Sequence, residues 1–206
     1  MIKYLEANTK GKSVNRDQKR WDQEYKERNF IPGKKPNAFL RRHIHLLPKG
    51  KALDLACGDG TNAVFLAQQG FRVEAVDISK MGLKIAQRLA QAKRVKVRFR
   101  RVDLNSLPLP PEHYDLITDF YFLNRRLVPR IKKALKPGGR VLFETYTTEQ
   151  SLLGTGGPRQ ASYLLKPNEL LRLFAGMRIL FYREGVFPID GRRRGVASLI
   201  AEKMER

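Results

Sequence analysis

Three carboxylates stand where short apolar runs give out: Asp54 inside Lys51-Ala52-Leu53-Asp54-Leu55, Asp77 after Phe71 to Val76, and Asp103 after Val95 to Val102. The first runs into the turn Ala56-Cys57-Gly58-Asp59-Gly60 and then into Thr61-Asn62-Ala63-Val64-Phe65-Leu66-Ala67, an apolar stretch that reads as a buried helix. Strand, glycine turn and helix in that order open a ligand-binding α/β unit, since glycine lets backbone N–H groups and a helix N-terminus come close to a ligand. Gly58-Asp59-Gly60-Thr61-Asn62-Ala63 satisfies the dinucleotide spacing G-x-G-x-x-A letter by letter. Charge argues the other way. A pyrophosphate there would lie close to Asp54 and Asp59, whereas the sulfonium and ammonium of S-adenosylmethionine would be attracted. A turn with no ligand is the third reading. Asp77, about 20 residues beyond the glycines, is placed to accept hydrogen bonds from two ribose hydroxyls, with a plain surface carboxylate as the alternative.

The elements that must position these groups follow from periodicity. Phe39, Leu40, Ile44 and Leu47 recur at helical spacing over Pro36 to Leu47, with Pro36 as first residue and Pro48-Lys49-Gly50 as the stop. Phe71 to Val76 is a second strand. Ser79 caps a helix through Ala92, and Val95, Val97 and Phe99 alternate with Lys96, Arg98 and Arg100 as an edge strand. Tyr114 to Asp119 is a fourth strand, Val128 to Leu135 a helix stopped by Pro137-Gly138-Gly139, and Arg140 to Tyr146 a fifth strand. This alternation predicts a parallel sheet with right-handed crossovers. Thr147 to Lys166 is a long Gly/Ser/Thr-rich loop. A helix at Asn168 to Phe174 follows, then strands at Ile179 to Tyr182 and Val196 to Ala201 joined by Pro188 to Gly195. Residues 1–35 form a basic extension with aromatic Tyr4, Trp21, Tyr25 and Phe30. Trp21 and Tyr25, at i and i+4, share one face of a short helix that packs on the main domain or closes over a ligand. Residues 36–206 form the domain itself.

The 206 residues suit one such domain, and no apolar run reaches the ~20 residues of a membrane span. The basic N-terminus lacks the apolar core of a signal peptide, and Cys57 has no second cysteine to pair with, so a reducing, cytoplasmic location is expected. The net charge of +21, from 41 basic and 20 acidic residues, implies non-specific binding to nucleic acid or simply a solvated basic surface. His43 and His45 point to different faces, His113 falls at the far end of its strand, and no metal site is expected.

Asp54 to Gly60, Asp77, Asp103-Leu104 and Lys136-Pro137-Gly138-Gly139-Arg140 together resemble the class I S-adenosylmethionine-dependent methyltransferases. The turn with Asn62 to Ala67, plus Trp21-Asp22 and Phe143-Glu144-Thr145-Tyr146, is similar to the tellurite-resistance methyltransferase family; Thr61, where many of its members have arginine, departs from it. The resemblance implies a three-layer Rossmann-like fold, with a mostly parallel seven-stranded sheet whose last strand is antiparallel and belongs to a C-terminal hairpin at one end. It implies S-adenosylmethionine as cofactor. Asp54 and Ala56, Cys57, Gly58 and Gly60 would hold its methionine part, with Asn62 beside them. Asp77 would take the ribose hydroxyls, with Ser79 adjacent and Ile78 on the adenine. Asp103 and the backbone N–H of Leu104 would read the adenine edge, while Asp119 and Phe120 border the methyl and Trp21 closes the site.

The acceptor is less legible. Asp119-Phe120-Tyr121-Phe122 lacks the prolines of enzymes that methylate amino groups of bases or amides, and Cys57 lies in the cofactor turn rather than where a nucleophile would attack a base. A small-molecule acceptor is therefore expected, a thiol or a selenium or tellurium compound among the candidates. The alternatives are RNA or another macromolecule, and a cofactor-binding protein without turnover. Tyr121, Tyr146 and Arg159 are the candidate catalytic or acceptor-binding residues, Arg159 for an anionic group.

Overall fold

The computed structural model describes residues 16–27 and 35–205. Tyr4 and Phe30 of the basic extension lie outside the described residues. Helix α1 covers residues 16–27. It is followed by α2 (Ala38–His43), β1 (Lys51–Leu55), α3 (Thr61–Gln68), β2 (Arg72–Asp77), α4 (Lys80–Ala92), β3 (Val97–Arg101) and β4 (Tyr114–Phe120). Then come α5 (Val128–Ala134), β5 (Leu135–Tyr146), α6 (Glu169–Leu173), β6 (Arg178–Ile189) and β7 (Arg192–Glu202).

The seven strands form one sheet in the order β3-β2-β1-β4-β5-β7-β6. Strands β1 to β5 pair in parallel, and β7 runs antiparallel to both β5 and β6. The expected fold class is thus met. Alternation along the strands divides the core in two. Ala52, Leu116, Leu142 and Ile200 face α2 and α3, meeting Phe39, Leu40 and Leu66. Leu53, Leu55, Ile117, Val141, Phe143 and Leu199 face the other way, onto Leu127, Ile131, Leu170 and Phe174 of the α5 and α6 side. These are the two helical layers around the central sheet. Two antiparallel steps restore the direction of β6, so the ends of β1, β2, β4, β5 and β6 emerge along one edge.

Several boundaries differ from the sequence reading. The C-terminal strands are 12 and 11 residues long, and Pro188 to Gly195 is not a loop. Ile189 pairs with Arg192 across Asp190-Gly191, whose φ of 48° and 77° are the left-handed pair that a two-residue hairpin turn needs. Pro188 is tolerated because β6 is an edge strand. In β5, Pro137-Gly138-Gly139 does not precede the strand but bulges within it: Tyr114 pairs with Leu135 and Leu116 with Arg140. Asn37, not Pro36, starts α2, its side chain accepting from the N–H groups of Phe39 and Leu40; the helix ends at His43 and tightens into a 3₁₀ turn at Ile44–Leu46. Thr147 to Lys166 contains 3₁₀ turns at Thr148–Leu152 and Ala161–Tyr163. Ser79 caps α4 as expected, accepting from Gly82 N.

Gly60 shows how tightly the turn is built. Its φ is 75°, and a Cβ there would lie 2.5 Å from Ala86 Cβ and 3.0 Å from Ala86 Cα. Gly60→Ala should therefore cost both left-handed strain and a backbone displacement, about 2 kcal/mol or more. Urea unfolding of the two proteins checks this; a loss below about 0.5 kcal/mol would mean that the turn yields freely.

Candidate active site

The site is assembled from the strand ends. Asp54, one residue before the end of β1, is 1 % exposed; its Oδ1 accepts from Thr118 Oγ1 at 2.7 Å, and its Oδ2 has no hydrogen-bond partner among the described residues. Asp119, next to last in β4, is equally buried, and its Oδ1 also lacks a partner. Burial pushes the Asp54 carboxyl up to about 7, with the nearby charges of Asp77 and Asp59 adding to the effect. Burial and the charge of Asp54 push Asp119 well above the ordinary carboxylate range.

Asp77 is also buried but differently satisfied. Its two oxygens accept from Gly58 N and Ser79 N, each at 2.8 Å, so it fixes the glycine turn to the start of α4. Burial raises its pKa, while those N–H groups pull the other way. The turn winds through left-handed φ at Ala56 (49°), Gly58 (54°) and Gly60 (75°). Cys57 N donates to Val76 O and Gly60 N to Cys57 O. Burial and the acids Asp54, Asp77 and Asp59 keep the Cys57 thiol protonated, which removes it as a nucleophile.

Helix α1 lies across this turn. Asp22 Oδ1 accepts from Ser79 Oγ at 2.7 Å and from Met81 N at 3.0 Å, giving α4 a second cap from outside the helix. The Tyr25 side chain lies where side chains at Gly58 and Gly82 would project. Trp21 is more exposed, at 38 %, with its ring 6.3 Å from that of Tyr25. Between helix and turn is a cavity of about 190 Å³, lined by Tyr25, Asn37, Ala56, Cys57, Gly58 and Phe120 among others. A larger open groove of about 1040 Å³ is bordered by Lys51, Arg72 and Val97, the first residues of β1, β2 and β3. It lies at the opposite edge of the sheet, away from the crevice where such sheets bind ligands.

A second polar centre lies beside Phe120, on the neighbouring strand. Glu144, 1 % exposed on β5, accepts from Asn37 Nδ2 (2.8 Å), Tyr121 Oη (3.1 Å), Ser198 Oγ (2.7 Å) and Arg183 Nη2 (3.3 Å). Asn37 N donates in turn to Asn62 Oδ1, which ties α2 to α3. Tyr121, at φ 61°, stacks on Tyr146 with centroids 4.8 Å apart, and Arg194 Nη1 donates to Tyr146 Oη.

Of the residues singled out from sequence, the structure gathers Asp54, Ala56, Cys57, Gly58, Gly60, Asn62, Asp77, Ser79, Asp119 and Phe120 around one turn, with half-buried Ile78 adjoining. Asp103 is folded onto its own turn, accepting from Asn105 N and Nδ2; Leu104 is core. The exit of β3 is nonetheless tied in, since Val102 N donates to Asp77 O. Arg159 is exposed and has no ion pair or hydrogen bond among the described residues. The sequence reading assigns no role to Asn37 or to Asp22 as a cap, takes Glu144 only as part of a motif, and sets Arg194 with Arg192 and Arg193 on the rim of the site. Glu144 was detectable as an acid closing the apolar run Val141-Leu142-Phe143.

The residues fit a compact cationic ligand. Two buried carboxylate oxygens lacking donors face a turn that bulkier side chains would close. Residues 52–139 match the family described as a methyltransferase domain. A ubiquinone biosynthesis O-methyltransferase of Idiomarina loihiensis is 29 % identical over 154 residues, 66 % of this chain and 63 % of that one. Among solved structures, TehB from Haemophilus influenzae has a TM-score of 0.69 at 20 % identity, covering 89 % of this chain and 67 % of that one. An S-adenosylmethionine-dependent methyltransferase from Methanosarcina mazei has 0.66 at 17 %, covering 84 % of this chain and all of that one. The chain spans half to nearly two thirds of the length of the curated relatives that it matches first. The fold is that of the class I methyltransferases, and the stretch that matches the methyltransferase domain supplies β1 to β4 and the glycine turn. Among the described residues, no helix is long and apolar enough to cross a membrane.

The buried acid has a cost that can be measured. Unfolded, Asp54 releases its proton near 3.8; folded, it keeps it to about 7. Between those values the folded state binds the extra proton, so stability falls as pH rises and stays reduced above 7. Asp54→Asn should therefore stabilise the ligand-free protein at pH 8 by on the order of 1–3 kcal/mol, with the gain vanishing near pH 4. Urea unfolding at the two pH values checks this; a variant less stable than wild type at pH 8 would contradict it.

Proposed function

We propose that the protein is an S-adenosylmethionine-dependent methyltransferase acting on a small-molecule acceptor. The observation that carries this reading is the pair of donorless oxygens, Asp54 Oδ2 and Asp119 Oδ1, buried beside the glycine turn. Two nearby buried carboxylates, each with one oxygen short of a donor, are costly to ionise unless a cation joins them. The small-molecule acceptor is supported by the name of the ubiquinone biosynthesis relative, and the narrower likeness to the tellurite-resistance group by the TehB neighbour.

In this reading the bound cofactor supplies a methyl group activated on a sulfonium. Asp54, with Ala56 to Gly60, holds the methionine end, Asn62 stands beside it, and Asp77 and Ser79 serve the ribose. Ile78, Asp103 and Leu104 flank the adenine, and Asp119 with Phe120 borders the methyl. The N-terminal extension acts as a lid, Asp22 anchoring α1 while Tyr25 and Trp21 exclude water. Burial and the neighbouring Glu144 hold the Tyr121 phenol protonated, so it orients an acceptor and does not deprotonate one. The chain's contribution is mainly position and desolvation, which suits an acceptor already nucleophilic.

Titration calorimetry should show binding of S-adenosylmethionine and S-adenosylhomocysteine, and none of NAD. Asp77→Ala should weaken both by at least about thirtyfold, since two hydrogen bonds to a charged acceptor are worth ~2 kcal/mol or more. NAD binding without S-adenosylmethionine binding would sink the reading; unchanged affinity in Asp77→Ala would remove Asp77 from the site.

A further inference from the structure

Arg194, the third residue of β7, pairs with Phe187 of β6 at the same edge of the sheet as the cofactor turn. Its Nη1 donates to Tyr146 Oη at 2.9 Å, and its guanidinium carbon is 5.6 Å from the centre of the Tyr121 ring. Its Nε is buried and has no acceptor among the described residues. The neighbouring half-buried arginines are paired: Arg183 with Glu144 at 3.3 Å and Arg125 with Glu169 at 2.6 Å. Arg194 has no carboxylate partner among the described residues, and Glu144 already serves four donors. The Tyr146 hydroxyl accepts from Arg194 and gives its own proton to no described residue. Two donors without acceptors, one of them cationic, therefore meet beside a stacked pair of tyrosine rings, one residue beyond Phe120.

We propose that Arg194 and Tyr146 form an anion-recognition point in the acceptor pocket, and that the molecule methylated is a planar acceptor carrying a carboxylate or comparable oxyanion. This rests on the methyltransferase reading and narrows its acceptor. A half-buried guanidinium with one buried N–H and no counter-ion is unfavourable, and its planar donors suit a carboxylate oxygen pair. The Tyr121–Tyr146 stack offers the flat apolar wall against which an aromatic acceptor would lie. Structural arginines of this chain have protein acceptors for both terminal nitrogens: Arg125 donates to the carbonyls of Ser162 and Leu164, and Arg130 to those of Leu107 and Leu104. The loop that follows Tyr146 is tied to β7 beside Arg194 by side chain–backbone bonds: Gly195 N to Gln150 Oε1, and Thr155 Oγ1 to Arg193 O, with Gln150 Nε2 donating to Gly156 O.

The test is calorimetry on the full chain saturated with S-adenosylhomocysteine. Benzoate is titrated as planar anion, benzyl alcohol as its neutral counterpart and selenite as a ring-free oxyanion. Benzoate should bind at least tenfold more tightly than benzyl alcohol. Arg194→Gln should weaken benzoate at least tenfold and S-adenosylhomocysteine less than twofold. Tyr146→Phe should weaken benzoate severalfold, and Arg194→Lys, which keeps the charge, should lie between wild type and Arg194→Gln. Selenite binding that also needs Arg194 would assign recognition to the oxyanion itself; benzoate binding alone would assign it to ring and anion together. The proposal is overturned if benzoate and benzyl alcohol bind equally, if neither anion binds the saturated protein, or if Arg194→Gln and Tyr146→Phe both keep wild-type benzoate affinity. Failure of S-adenosylhomocysteine to bind would instead overturn the methyltransferase reading beneath it.

Discussion

Burial of carboxylates at the ends of parallel strands sets the terms for the rest of this molecule. Asp54 and Asp119 sit on adjacent strands with an oxygen each that no described group satisfies. Water would solvate both, but the strands that carry them are the central pair of the sheet, covered on both faces. The folded protein thus holds two acids in a place of low polarity, where ionising them weakens it in the absence of a ligand and a cation would offset that cost. Asp77 belongs to the same edge and has a structural task as well. Each of its oxygens accepts one N–H, from Gly58 and Ser79, which shapes the turn and leaves a lone pair on each oxygen.

Around those acids the walls are tied by polar bonds as well as by packing. Glu144 joins β5 to β7 through Ser198 and to α2 through Asn37, and Asn37 reaches Asn62 on α3. A fully satisfied buried acid of this kind rigidifies its surroundings. The N-terminal helix is held to the glycine turn by Asp22 on Ser79 and Met81 and by Tyr25 over Gly58 and Gly82.

Most of the fold was legible because its signals are local. Alternation gave the strands, and Pro, Gly and Ser79 gave many of the ends. The turn between Asp54 and Gly60 announced itself through glycine spacing, while the character of its ligand was readable only by adding the charge of Asp54. The long hairpin was misread because β6 is a half-exposed edge strand with little alternation, although Asp190-Gly191 carried the turn signal. Arg194 lay hidden for a different reason: in sequence it is one of three consecutive arginines, and only the stacked rings of Tyr121 and Tyr146 distinguish it from Arg192 and Arg193, which are exposed. Arg159 was the reverse case, a loop position suggestive in sequence and solvated in the structure. Contacts between residues dozens of positions apart, such as Asn37 with Glu144, leave no periodic trace at all.

The central claim is that the site is a buried acid pair awaiting a cation. With Asp54 protonated up to about pH 7, a cationic cofactor must displace a proton as it binds. Calorimetric titration of S-adenosylmethionine at pH 6, repeated in buffers of different ionisation enthalpy, counts that proton directly. The account predicts release of about one proton per cofactor bound, falling towards zero by pH 9 and absent at pH 6 in Asp54→Asn. Binding with no proton released at pH 6 in the wild-type protein would contradict it.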